Sequence, residues 1–129
     1  MRGPDPDRIL GVRSELLGIV DLNASEYPWL MAVTTAPSAE AASALVRELV
    51  NRRLVACGTV LPGATSIYRW KGTTEESRET VVLLKTTGAR WEELKATLPT
   101  LHPYEVPELI AVPIVGGHQP YLDWMRAET

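Results

Sequence analysis

Two runs in this chain are apolar at every position, Val81-Val82-Leu83-Leu84 and Leu109-Ile110-Ala111-Val112. Side chains of a strand alternate between its two faces, so a strand without polar alternation wants burial on both sides. Any fold for this sequence must therefore cover both faces of the sheet that holds these runs. What else the chain supplies decides how that is done.

The pattern becomes regular from Trp29. Trp29 to Thr35 reads as a strand ending in β-branched residues, closed by Ala36-Pro37. Ser38 then opens a helix as its N-cap, with Glu40 in the first turn and an apolar stripe of Ala41, Ala42, Leu45, Val46, Leu49 and Val50 running to Arg53. Leu54 to Leu61 predicts the next strand; Pro62-Gly63 bends it and Thr65 to Trp70 resumes it. The polar stretch Lys71 to Ser77 predicts a turn, and Glu79 to Thr87 the second arm of a hairpin. A second helix begins near Thr87 or Gly88 with Trp91, Leu94, Leu98 and Leu101 on its apolar side, and Pro99 is expected to end or kink it early. His102-Pro103-Tyr104-Glu105-Val106-Pro107 is a rigid loop, and Leu109 to Val115 is the last strand, with Pro113 pointing to a sheet edge or a bulge. Pro120 starts a terminal helix whose Tyr121, Trp124 and Met125 share a side. The order strand, helix, strand, strand, helix, strand is the split βαβ pattern: an α+β, ferredoxin-like βαββαβ sandwich with an extra C-terminal helix. Right-handed crossovers place the two main helices on one face, so the other face is expected to be covered by further copies of the chain.

Composition agrees with one domain: 129 residues, 45% hydrophobic and 22% charged. Residues 1–28, with Pro4, Pro6, Gly11 and Gly18, read as an extension, partly disordered or a short helix, and residues 29–129 as the domain. A net charge of −3 with no basic run beyond Arg52-Arg53 argues against nucleic acid as a partner, and no apolar stretch is long enough to span a membrane. The N-terminal segment lacks the pattern of a signal peptide, since Arg13 and Glu15 interrupt its only apolar stretch. Cys57 is the single cysteine, so folding needs no disulfide, a chain of this size needs no structural metal, and the cytoplasm is the expected compartment.

Arg53-Leu-Val-Ala-Cys57, Leu61-Pro-Gly-Ala-Thr-Ser-Ile-Tyr-Arg-Trp-Lys-Gly72, Leu84-Lys-Thr-Thr87, His102-Pro-Tyr-Glu-Val-Pro-Glu108 and Tyr121-Leu-Asp-Trp124 occur in that order. Together they resemble the CutA family of divalent-cation tolerance proteins, over about residues 29 to 126. The resemblance implies a homotrimer assembled through its sheets, a role in the response to metal ions, copper binding in some members, and no established catalytic reaction. Kinship with the PII signalling proteins implies ligand sites in the clefts between subunits. Members credited with copper binding carry a Cys at the end of the first strand and a His before the His-Pro-Tyr motif; here those positions hold Thr34 and Leu101.

His102 is the first metal candidate, with Glu105 and Glu108 near it in sequence, against the plainer role of a hydrogen-bonding loop residue. Cys57 is either a small buried hydrophobe or a soft ligand for copper, according to which face of its strand it takes. Tyr68 and Trp70 share a face, suited to packing between subunits or to stacking on a ligand. Lys85, alone in an apolar strand, is an edge charge or an anion-binding group. Glu105 and Glu108 lack the accompanying motifs of a hydrolase, and His118 reads as an exposed loop residue. The expected function is that of a non-enzymatic, homotrimeric metal-response protein. Its ligand cleft takes Tyr68, Trp70, Lys85, Tyr104, Glu105, Glu108 and Trp124, and its metal donors are His102 and Cys57, for copper or another divalent cation. The alternative is a PII-like trimeric signalling or scaffolding module that binds a small anion or a partner protein in the same clefts.

Overall fold

The structure, a computed structural model, is described over residues 24–129; the part of the predicted extension at residues 1–23 lies outside the described residues. A 3-10 turn at Ala24–Glu26 leads to β1 (Trp29–Ala36), α1 (Ala39–Asn51), β2 (Cys57–Trp70), β3 (Thr73–Thr87), α2 (Gly88–Leu101), β4 (Ile110–Pro113) and α3 (Gln119–Ala127). The four strands form one antiparallel sheet in the order β2-β3-β1-β4. This is the α+β arrangement expected, and Pro113 lies on the edge strand, where its missing N–H costs the ladder little.

Both main helices cover one face. The Ser38 hydroxyl accepts from the Ala41 N–H at 3.0 Å and starts α1, which buries Ala42, Leu45 and Leu49; α2 buries Trp91, Leu94 and Leu98. They close over Leu30, Ala32, Val82 and Leu84 of the sheet. Pro99 does not stop α2, which continues to Leu101: the proline lies in the last, exposed turn, where the helix loses one backbone bond and no core contact.

Several boundaries move. Leu54 to Ala56 are buried but precede β2, and Leu109, Ile114 and Val115 fall outside β4. The hairpin turn is only Lys71-Gly72, both at positive φ (51° and 83°), the twist that matches a two-residue connection, so β3 begins at Thr73. The expected bend in β2 is a bulge between Leu61 and Ala64, with Gly63 at φ 84°. The apolar side of α3 is not the one expected: Leu122 and Met125 are buried with Ala56, while Tyr121 and Trp124 are exposed. This helix rests on the end of the sheet's second face, where the Trp29 indole N–H donates to the Leu122 carbonyl at 3.0 Å. The terminal helix therefore covers part of the face that the sequence left to other copies.

The rest of that face stays open. Its rows follow from the register: Val112, Met31, Lys85 and Cys57; then Ile110, Val33, Leu83 and Thr59; then Thr35, Val81 and Leu61. Ile110 is 54% exposed, Leu61 46% and Val112 43%, so the continuous apolar runs are satisfied on the helix side and not on this one.

Candidate functional site

The loop after α2 is held by one imidazole. His102 is extended (φ −89°, ψ 140°), as a residue before proline must be, and its ring turns back under β1. Nε2 lies 2.6 Å from the Thr35 carbonyl oxygen, and Nδ1 lies 3.0 Å from the Tyr104 backbone nitrogen. A carbonyl only accepts and a backbone N–H only donates, so Nε2 carries the proton, Nδ1 accepts, and the ring is the neutral Nε2–H tautomer. His102 is buried, with both nitrogens engaged by its own chain.

Tyr104 extends the network onto the open face. Its ring tilts against His102 with centroids 4.9 Å apart, and its hydroxyl donates to Glu79 Oε2 at 2.9 Å. Burial first, then the Glu79 carboxylate, push the Tyr104 hydroxyl up from 10.0 to about 12, so it holds its proton and keeps donating. Glu79 is itself buried, opposite Ala64 just past the bulge. Beyond it Ser66, Tyr68 and Trp70 face Ser77, Glu75 and Thr73, and Tyr68 Oη lies 3.4 Å from Ser77 Oγ. Tyr68 and Trp70 are exposed on the same side of the sheet as Tyr104 and Glu79.

Cys57 stands at the other end of the face. The residue is half-buried and its sulfur lies 3.6 Å from the Tyr121 hydroxyl, which raises the hydroxyl's pKa mainly through that hydrogen bond. Lys85 is its cross-strand neighbour and donates from Nζ to Thr59 Oγ1 at 3.4 Å. Trp124 lies nearby on α3, its ring 5.5 Å from that of Tyr121. Cys57 shares a row with Met31, whereas His102 is anchored at Thr35, four residues up β1, which is about 13 Å of strand. One chain thus keeps its two expected metal donors apart. Glu105 and Glu108 are exposed, and among the described residues no three His, Cys, Asp or Glu side chains come together as metal ligands. Thr34 faces the buried helix side, and Leu101 packs against the same core.

The structure thus divides the expected residues into a His102 and Tyr104 group at one end and a Cys57, Lys85 and Trp124 group at the other. Sequence reasoning missed Glu79, the Thr35 carbonyl and Tyr121. Glu79 was within reach, because alternation places it on one face with Val81, Leu83 and Lys85, as the only carboxylate among them.

Fold and site together define a ferredoxin-like βαββαβ protein that carries a half-covered sheet and a polar network at the open face's rim. A sequence model described as "CutA1 divalent ion tolerance protein" matches residues 30–128, and the chain belongs to that family. The Divalent-cation tolerance protein CutA of Thermus thermophilus is 47% identical over 95 residues, covering 74% of this chain and 92% of that protein. The crystal structure of CutA from Xylella fastidiosa superimposes with a TM-score of 0.76 at 40% identity, over 78% of this chain and 97% of the other. CutA1 from Oryza sativa gives 0.77 at 33% identity, over 80% and 94%.

Proposed function

We propose that this protein serves divalent-cation tolerance as a homotrimer, in the cytoplasm and without catalysis, binding its ligand in clefts between subunits. The observation that carries the reading is the open sheet face, where Val112, Met31, Ile110, Val33, Leu83, Val81 and Leu61 form an apolar surface that α3 covers only at one end. The hairpin arm supports it. β1 ends opposite Thr80, so among the described residues Ala64–Trp70 and Thr73–Glu79 have only each other as strand partners, and a bare two-stranded ribbon is marginal in water. Packing on neighbouring copies stabilises both features and brings Tyr68 and Trp70 to a subunit boundary.

Copper or another divalent cation is the ligand that the family points to. Within one chain the donors do not fit it: His102 offers a nitrogen only by giving up the Thr35 or the Tyr104 bond, and Cys57 is a long way off. A cation site in this protein draws donors from more than one subunit. The test is a titration of metal-stripped protein with Cu(II) and Zn(II) against a chelator of known affinity, on wild type, His102→Ala and the interface variant Leu83→Asp. Binding held by the assembled protein and lost in the dissociated variant is the expected result. Unchanged affinity in a monomeric Leu83→Asp variant places the site within one chain and overturns the reading.

One observation favours a small anion as a second cleft ligand. Lys85 makes no ion pair among the described residues, and its partner there is a neutral hydroxyl at 3.4 Å. Covering the open face desolvates that ammonium, which then needs an anion from a neighbouring copy or from solution. Anion binding that follows Lys85→Ala and ignores His102→Ala identifies this ligand.

A further inference from the structure

At the far end of the sheet from His102, a cleft of about 470 Å³ lies between the 3-10 turn, the first turn of α2 and the end of α3. Arg90 and Arg126 both line it, and among the described residues Glu26 is the one acidic side chain on its wall. Arg126 is held in a particular way. Its guanidinium lies over the Trp29 ring, 4.9 Å from the centroid, and that indole is itself fixed by its 3.0 Å bond to the Leu122 carbonyl. A cation held over an aromatic ring is attracted by the ring's face and still has its N–H donors to offer. No carboxylate takes those donors: among the described residues Arg126 makes no ion pair, and Glu26 pairs with neither arginine. Arg90 has only Glu93, one turn further along α2, at 3.5 Å and largely in solvent. The Thr87 and Thr129 hydroxyls, also on the lining, are 3.3 Å apart, and Thr129 Oγ1 donates onward to the Met125 carbonyl at 3.1 Å, so they satisfy each other and leave recognition to the arginines.

We propose that this cleft is a binding site for a small phosphorylated molecule, its phosphate group taken by the Arg126 guanidinium with Arg90 as the second cation. A planar fork of N–H donors fits phosphate oxygens two at a time, and Arg126, already held over the Trp29 indole, loses less side-chain freedom on binding than a free surface arginine. The volume exceeds what inorganic phosphate fills and lies in the range of small-molecule pockets. Every group involved belongs to one chain, and none of the lining residues is among those assigned to the open-face clefts.

The test is a calorimetric titration of the full chain, metal-free and at fixed ionic strength, with pyrophosphate, inorganic phosphate and succinate. Expected are saturable binding of pyrophosphate, weaker binding of phosphate, and weaker binding still of the dicarboxylate. Arg126→Gln and Arg90→Gln should each weaken pyrophosphate about tenfold, the usual scale for one charge-assisted contact. Glu26→Gln should tighten it, since it removes a like charge from the wall. Arg126→Lys keeps the charge but not the fork and should recover only part of the affinity. Thermal unfolding checks each variant, and if Arg126→Gln fails to fold, Arg90→Gln on the helix surface decides. The proposal is overturned by absent or non-saturable binding, by succinate binding as tightly as pyrophosphate, or by affinity that ignores Arg90→Gln and Glu26→Gln.

Discussion

Replacing His102 by alanine removes two hydrogen bonds at once, the 2.6 Å bond to the Thr35 carbonyl and the 3.0 Å bond from the Tyr104 N–H. A buried polar group left without a partner costs about 1–3 kcal/mol. Both groups lie at a site only 8% exposed in wild type, but the loop can relax and admit water to one of them, so the expected loss is about 2–4 kcal/mol. The measurement is urea unfolding of wild type and His102→Ala at one fixed protein concentration, because assembly couples to apparent stability. His102→Gln is the control: its side-chain amide can donate to the Thr35 carbonyl, and it should recover part of the loss. A loss below about 0.5 kcal/mol, the range of ordinary surface substitutions, would refute the view that His102 holds this loop.

Three further outcomes follow from the same geometry. The Tyr104 hydroxyl, raised to about 12 from 10.0, keeps its proton longer in the folded state than in the unfolded one. Its contribution is complete below pH 10 and is lost as pH rises through 10 toward 12; ultraviolet titration should show one late-ionising tyrosine fewer in Tyr104→Phe than in wild type, and Glu79→Gln should bring the Tyr104 ionisation down. Leu83→Asp puts an unpaired carboxylate in the middle of the open face, at a cost of several kcal/mol once that face is covered, and light scattering should show dissociation with unchanged circular dichroism. Gly88→Ala should cost about 1–3 kcal/mol in thermal or urea unfolding, because a Cβ there overlaps the Tyr27 and Ser25 carbonyl oxygens and forces the 3-10 turn off the start of α2.

Much of the fold was legible because its signals are local. Gly63 after Pro62 marked the bulge, Pro113 marked the edge strand, and Ser38 marked the start of α1, each through backbone chemistry confined to a residue or two. The side of α3 that packs was not legible. Tyr121, Trp124 and Met125 are as apolar a set as Leu122 and Met125, and what distinguishes them is distant in sequence: Leu122 and Met125 pack with Ala56, Trp29 and Ile114, and the Trp29 indole reaches the Leu122 carbonyl across 93 residues. The site was half legible for the same reason. His102, Tyr104, Lys85 and Cys57 could be named from residue type. Their separation into two ends of one face depends on the register of β1 with its neighbours, and no single segment carries that.

The open face of the sheet is what the proposed homotrimer and its clefts depend on. Multi-angle light scattering on the purified wild-type chain measures what covers that face. A species of three times 14.2 kDa that persists on dilution is the predicted result, and a stable 14.2 kDa monomer would contradict both the covered face and the clefts built on it.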